Sequence, residues 1–534
     1  MQFFLDTSRN LLVYQPPSLF HAHQILERIP EARAVNGEYV CVPHTLQNAQ
    51  TLRWMQWPVA PVITDANYDW PATPGKKAWE HQKLTANFCC LHPRSFVLSD
   101  LGSGKTLSLL WACDFLMKQY PPGTCRALII APLSTLQSVW QQEIFSSFLG
   151  RRSCVVLHGS AEKRMELLQQ PHDFYIVNHD GVGVGAHTHK RFELDGFSRA
   201  LAERSDIRIA VADEASAYKD STTKRHRIAR AVFGKKQYLF LLTGTPTPQA
   251  PTDAYGLAKL VNNAFGKSRT TFQHESMLKI SQFRWVPQRD GYDKARALLS
   301  PAIRFDIDDV WPDAPEMTIQ TREVALTDEQ KRLMLQLKKD LQVTVRSGPI
   351  TAANEASVRS KFLQLSLGAI YDSDHVAHRI DAAPRIAVLK EILEQSPKKM
   401  LLLAGFTSVL TFLKKELKDY SCELVNGSVS PKERANIFRR FQDEVAPDIL
   451  IADPGVLAHG LNLQRGRTVI WFSPCDKAEL FQQANARCYR PGQKFPVSVV
   501  QLVSNPLERE IYKRLASNAT LQGALLDVIG RGEL

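Results

Sequence analysis

Short apolar runs alternate with longer amphipathic stretches along most of this chain. The runs Ser95–Ser99, Ala127–Ala131, Asp173–Val177, Ile207–Ala212 and Tyr238–Leu242 read as buried strands. Nearly continuous apolar residues over a few positions suit a strand covered on both faces. Between the runs, apolar residues fall at helical spacing, as at Leu136, Val139, Trp140 and Ile144. Strand and helix in alternation predict βαβ units and a parallel sheet.

The alternation begins near residue 76 and lapses between about 266 and 380, where the chain is mixed, charged and more helical, as in Glu329–Val345. It then resumes. Met400–Ala404, Asp448–Ala452, Thr468–Phe472 and Val497–Val503 are expected strands. Val409, Leu410, Leu413 and Leu417 mark a helix after the first of them. Ser430-Pro431-Lys432-Glu433 is a capping box with proline at the first helical position. Asn505-Pro506-Leu507-Glu508 opens a last helix. Residues 1–75, rich in aromatics and proline, form a separate first unit that ends in the loop-like Pro71-Ala-Thr-Pro74-Gly75. The expected architecture is therefore two α/β blocks, over 76–265 and 381–534, with a helical insertion over 266–380 and a small N-terminal domain.

Composition narrows the class. Of 534 residues, 44% are hydrophobic and 22% charged, as in an ordinary globular protein. That argues against a disordered, collagen-like or coiled-coil chain. Apolar runs such as Met400–Phe406 fall far short of the ~18–20 residues a membrane span needs. The start MQFFLDTSRN, with Asp6 and no preceding basic region, does not resemble a secretory signal. Nine cysteines without a Cys-x-x-Cys spacing read as reduced core residues, which suits a reducing compartment and a cytoplasmic location, the nucleus staying open. His187-Thr-His189 reads as a loop rather than a metal clamp. The net charge of +12 fits a phosphate-rich partner and fits simple solubility equally. Lys235-Lys236, Lys338-Lys339 and Lys414-Lys415 read as solvated faces.

The segment Ser95-Phe-Val-Leu-Ser-Asp100-Leu-Gly102-Ser103-Gly104-Lys105-Thr106 runs from a strand through a glycine turn into Leu107–Met117, which has a helical pattern. A phosphate-binding loop requires that order. Gly102, Ser103 and Gly104 let backbone N–H groups approach phosphate oxygens at a helix start, where the dipole adds positive charge. Lys105 can reach β- and γ-phosphates, and the Thr106 hydroxyl can hold Mg2+. A strict match has glycine six positions before Lys105; Ser99 stands there, so the looser form applies. Further on, Ile209-Ala-Val-Ala-Asp213-Glu214-Ala215-Ser216 ends an apolar strand in two carboxylates. Asp213 can meet Mg2+ through water, and Glu214 can orient or deprotonate an attacking water.

Together these segments resemble the core of the superfamily two helicases, and other segments narrow the resemblance to Swi/Snf-type ATPases. Leu242-Thr243-Gly244-Thr245-Pro246 resembles that family's third motif. Ala127-Leu-Ile-Ile-Ala-Pro132-Leu-Ser134, with Trp140 and Glu143, resembles its DNA-contacting segment. Gly460-Leu-Asn462-Leu-Gln464 is similar to the fifth motif, and Gln483-Ala484-Asn-Ala-Arg487-Cys-Tyr-Arg490-Pro-Gly492-Gln493 to the sixth. The resemblance covers roughly residues 76–520, in order. Departures include Ser99-Asp100 where the family often has Asp-Glu, Ser216 where it has His, and Pro491 where it has an aliphatic residue. The family's large insertions are not evident, which suits a compact bacterial or phage member.

The resemblance implies two RecA-like lobes with ATP and Mg2+ between them. Lobe one would supply Lys105, Thr106, Asp213 and Glu214, with Gln82 upstream reading adenine. Lobe two would supply Gly460, Gln483, Arg487 and Arg490. The two arginines stand at i and i+3, a spacing that can share one helical face. An arginine finger is typically worth about 10³–10⁵ in rate. Thr135, Trp140, Asn462 and Gln464 would lie near the DNA backbone. Ile25–Pro30, Ala32-Arg33 and Tyr39–Pro43 resemble the small domain that precedes the core in annealing helicases of the family. Such a domain would read forked or branched DNA; a packing cap on lobe one is the other reading. The implied function is a monomeric, ATP-driven motor on double-stranded DNA that remodels branched DNA or protein–DNA complexes. A strand-separating DNA or RNA helicase is the alternative, and a DNA-binding scaffold with a vestigial ATPase the minor one.

Overall fold

The computed structural model describes residues 2–186, 193, 194, 196–280, 285–347, 352–371, 376–397, 399–457, 462–517, 524, 528 and 531. It divides into two compact units. One holds Met1–Thr247 and Pro251–Val310, the other Pro248–Ala250 and Trp311–Leu534.

The first unit begins with a four-stranded antiparallel sheet in the order Gln2–Asp6, Leu11–Gln15, Tyr39–Pro43, Arg33–Val35. Asn36 and Gly37, with φ of 52° and 71°, make the tight turn of its last hairpin. Helices Leu19–Arg28 and Leu46–Trp54 accompany the sheet. Leu12, Tyr14, Ile25, Val40, Val42, Leu52 and Trp57 form a core of their own, and the Tyr14 hydroxyl donates to the Pro58 carbonyl at 2.7 Å.

The main sheet of this unit has seven parallel strands in the order Ala302–Ile303, Arg94–Val97, Tyr238–Leu242, Ile207–Ala212, Arg126–Ala131, Phe174–Asn178, Cys154–Val156. Alternate residues feed two cores. Leu128 and Ile130 face one, Ala127, Ile129 and Ala131 the other. Burial on both faces is why these strands carry little polar alternation. Lys236, read from the sequence as a solvated residue, is buried instead. Its ammonium donates to the carbonyls of Leu201, Ala202 and Arg204 at 3.0–3.3 Å, at the end of helix Gly196–Glu203. Desolvation pulls its pKa down to about 8.

The second unit has six parallel strands in the order Met317–Glu323, Val497–Val503, Thr468–Trp471, Met400–Leu403, Ile449–Ala452, Cys422–Val425. Leu401 and Leu403 face one core, Met400 and Leu402 the other. The expected caps form: Ser430 Oγ accepts from the Glu433 N–H and Asn505 Oδ1 from the Glu508 N–H. Arg385 and Glu508 make a buried ion pair. The guanidinium also donates to the Phe472 and Leu502 carbonyls, so the charge is compensated on several sides.

The stretch 266–380 is not one helical insertion. Ala302–Ile303 extends the sheet of the first unit and Met317–Glu323 extends that of the second. Both are edge strands held by a backbone ladder. Met317–Glu323 buries none of its residues fully, so the apolar run that betrays a central strand is missing.

Candidate functional site: a phosphate loop and an acidic turn at one sheet edge

Three neighbouring strands bring the site together. Val97 is level with Leu242, and Leu241 with Ala212, across the parallel ladders. The segments that follow therefore emerge side by side at the carboxyl edge of the sheet, where ligands bind in open α/β folds. They are the phosphate loop after Val97, Thr243-Gly244-Thr245 after Leu242, and Asp213-Glu214 after Ala212.

Helix Lys105–Lys118 begins directly after the loop, with Gly104 as its cap. Gly102 and Gly104 have φ of 85° and 76°, a region costly for other residues. A Cβ on Gly104 would overlap the Gln82 amide. Gln82 is buried and engaged at both ends. Its Oε1 accepts from the Trp79 N–H at 3.0 Å and its Nε2 donates to the Gly104 carbonyl at 3.4 Å. In this structure it fastens a helix start to the loop. His81 does likewise, donating from Nε2 to the Ser103 carbonyl at 2.8 Å. Burial holds its pKa below the usual histidine value, which favours the neutral ring. Lys105 Nζ donates to the carbonyls of Ser99 and Asp100, each at 2.8 Å.

At the acidic turn, Asp213 Oδ1 accepts from the Glu214 N–H at 3.0 Å and Oδ2 accepts from the Trp140 indole N–H at 3.0 Å. Glu214 has φ of 49° and ψ of 52°, a left-handed backbone seldom adopted by side-chain-bearing residues and concentrated at working sites. Ser216 lies in the single turn Ala215–Tyr218 that follows. Thr243 joins the group through its N–H, which donates to the Val97 carbonyl at 3.1 Å, and its Oγ1 accepts from the Thr245 N–H.

Trp140 and Thr135, expected near the DNA backbone, pack into the first unit. Both are buried, Trp140 completely, and the Thr135 hydroxyl donates to the Pro132 carbonyl. Trp140 lies in a π-helical segment, Leu136–Gln141, that continues into the α-helix Gln142–Ser147. The apolar residues buried there are Leu136, Trp140 and Ile144, four apart. From this turn the indole points inward to Asp213. Helical spacing signalled its burial but not its hydrogen bond.

In the second unit, Gln483 is buried in helix Ala478–Asn485. The helix ends before the two arginines, so the predicted shared helical face does not form. The Arg487 N–H bonds the Ala484 carbonyl at 3.2 Å and the Cys488 N–H bonds that of Asn485 at 3.2 Å, both within turns. Pro491 follows Arg490, and a residue before proline is steered away from helical backbone. Gln493, not singled out from its residue type, holds this loop. Its Nε2 donates to the carbonyls of Gln464, Gly466 and Cys488 at 2.7–3.1 Å. Gln464 Nε2 donates to the Pro491 carbonyl. The Asn462 amide donates to Gln464 Oε1 at 3.0 Å. The fifth and sixth motifs are thus clasped to each other. Gly460, His187 and His189 lie outside the described residues.

The residues of the first unit fit a nucleoside triphosphate with a divalent cation. Positive-φ glycines could form the cradle, Lys105 could carry the charge, and Thr106 with Asp213 could supply the hard oxygen ligands that Mg2+ takes.

Comparison with known proteins agrees. Residues 49–371 match the SNF2-related domain family, and residues 384–492 match the helicase conserved C-terminal domain. The chain is 25% identical over 475 residues to putative protein p41 of Acyrthosiphon pisum secondary endosymbiont phage 1, covering 84% of this chain and 98% of that protein. It is 22% identical to the Homo sapiens DNA repair and recombination protein RAD54-like, covering 80% of this chain and 62% of that longer protein. A solved Sulfolobus solfataricus SWI2/SNF2 ATPase core in complex with dsDNA aligns over 87% of this chain and 95% of its own, with 20% identity and a TM-score of 0.39. Among the described residues, no helix is long and apolar enough to cross a membrane. With the SNF2-related match spanning more than half of its length, this chain belongs to the Swi/Snf-type helicase family of ATP-hydrolysing enzymes.

Proposed function

We propose that the protein is a DNA motor that hydrolyses ATP and uses the energy to move along duplex DNA. The observation that carries the reading is the delivery of Lys105, Thr106, Asp213 and Glu214 to one sheet edge by strands in register. In this reading Lys105 leaves the Ser99 and Asp100 carbonyls to meet the β- and γ-phosphates. Backbone N–H groups of the glycine turn hold the remaining phosphate oxygens. Thr106 and Asp213 hold Mg2+, which when bound neutralises phosphate charge. Glu214 accepts a proton from the attacking water. Arg487 and Arg490 meet charge that develops on the transferred phosphoryl group, a task suited to planar guanidinium donors. The protein is proposed to act as a monomer, and its contacts with DNA are proposed to be mainly to phosphates and therefore nearly independent of sequence.

The test is steady-state ATP hydrolysis without nucleic acid and with linear duplex, forked, four-way and single-stranded DNA, and RNA. Stimulation by duplex is expected, and none would overturn the reading. Branched substrates that outperform linear duplex would assign the preference for junctions. Lys105→Ala and Glu214→Gln are each expected to lower turnover by at least about 10³-fold. Near-normal turnover in either variant would refute the site.

A further inference from the structure

The phosphate loop is bonded to a segment far away in sequence. After strand Ala302–Ile303 the ladder with strand Arg94–Val97 does not stop. The Leu98 N–H donates to the Ile303 carbonyl at 2.8 Å and the Asp100 N–H to the Phe305 carbonyl at 3.0 Å. Two side chains answer from the loop. Ser99 Oγ accepts from the Phe305 N–H at 3.1 Å, and Asp100 Oδ2 accepts from the Ile307 N–H at 3.1 Å. The Arg304 guanidinium lies 3.7 Å from the Asp100 carboxylate. The His81 ring, bonded to the Ser103 carbonyl, packs on Phe305 with centroids 5.6 Å apart. Three residues beyond Ile307, at Val310, the first unit ends.

Ser99 and Asp100 are thus shared. Their carbonyl oxygens hold Lys105; their side chains hold Phe305 and Ile307. Ser99 is also the position where the strict phosphate-loop pattern has glycine, which could not offer the hydroxyl. A lysine that turns to a nucleotide phosphate releases both carbonyls, and a change in the backbone of Ser99-Asp100 passes directly to the amides bonded to their side chains. Coupling carried by one contiguous set of hydrogen bonds is the physical form such a link requires.

From this geometry we propose that Ser99 and Asp100 are positioning residues that fasten the exit segment Arg304–Ile307 to the phosphate loop, so that nucleotide occupancy sets the order of that segment. The proposal rests on the ATP-site assignment above. Its test is amide hydrogen exchange over residues 303–310 in the full chain, with and without MgADP, alongside MgADP affinity and duplex-stimulated turnover. In the wild type, MgADP is expected to slow exchange at Phe305 and Ile307 by about tenfold or more. Asp100→Ala is expected to lose that protection and to lower stimulated turnover by about tenfold, the effect of one hydrogen bond to a charged acceptor. Asp100→Asn, which keeps an acceptor oxygen, is expected to retain most of both. Ile307→Pro deletes the donor at the first position of helix Ile307–Val310, where proline fits, and is expected to match Asp100→Ala. Unchanged exchange in the wild type on binding MgADP overturns the proposal. So does wild-type protection in both Asp100→Ala and Ile307→Pro. Absence of DNA stimulation in the wild type would instead defeat the motor reading, while the exchange measurement still decides the link.

Discussion

The indole N–H of Trp140, carried on a π-helical turn, donates to Asp213 at 3.0 Å. On the proposal that Asp213 holds Mg2+, a hydrogen bond to that carboxylate would fix its orientation and tune its basicity, and losing such a partner typically costs about 10–100-fold in affinity or activity. Trp140→Phe keeps an aromatic ring while removing the indole N–H, together with some of the volume packed at this fully buried position. It is expected to lower ATP turnover within that range and to raise the Mg2+ concentration for half-maximal rate. Wild-type turnover with wild-type Mg2+ dependence would refute the role. This residue also marks how far residue types can be read. Its apolar spacing with Leu136 and Ile144 announced burial, while the acceptor of its N–H lies 73 positions away (Trp140 to Asp213), beyond any local pattern. The strand, turn and helix that carry Lys105 and Thr106, and the strand that ends at Asp213 and Glu214, were legible because their signals are local. The helical face expected to join Arg487 and Arg490 does not form, because Pro491 and the turns after Asn485 override an i, i+3 reading.

Helix Ala254–Val261 passes so close to the acidic turn that only glycine fits at position 256. A Cβ there would overlap the carbonyl oxygens of Tyr218 and Lys219, which follow Asp213-Glu214-Ala215-Ser216 after Ala217. His226, buried in helix Lys224–Phe233, donates from Nε2 to the Gly256 carbonyl at 2.8 Å and secures the same spot. Gly256→Ala is expected to destabilise the first unit by about 1–3 kcal/mol, the usual cost of overpacking. The fall should appear as a lower midpoint in denaturant unfolding, with reduced turnover because the acidic turn is displaced. An unchanged midpoint would show that the helix can withdraw at no cost. Central elements were legible for a plain reason. Strands such as Ile207–Ala212 are buried on both faces and must be apolar. Edge strands are not so bound. Cys154–Val156 and Cys422–Val425 each leave two positions only partly buried, and Met317–Glu323 is held by backbone ladder bonds.

Over the whole chain, the proposed motor function would give the excess of 12 positive charges a phosphate-rich partner. Binding that neutralises Z phosphates weakens with salt at a logarithmic slope of about −0.9Z on duplex DNA. The DNA concentration that half-maximally stimulates hydrolysis is therefore expected to rise steeply between low and moderate KCl, while hydrolysis without DNA stays nearly level. A flat response would mean that phosphate contacts do not dominate. Length could be read only as a domain number; which strand joins which sheet is settled by pairings such as Met317–Glu323 with Val497–Val503, 180 positions apart (Met317 to Val497).

The bond between Trp140 and Asp213 also makes the acidic site visible to light. Indole emission responds to the electric field on its ring, and this ring donates to a carboxylate whose charge a bound cation would offset. One chromophore among nine tryptophans is thus wired to the chemistry by a 3.0 Å contact. Subtracting the Trp140→Phe signal from that of the native protein would isolate the arrival of magnesium and nucleotide in real time, with no dye attached.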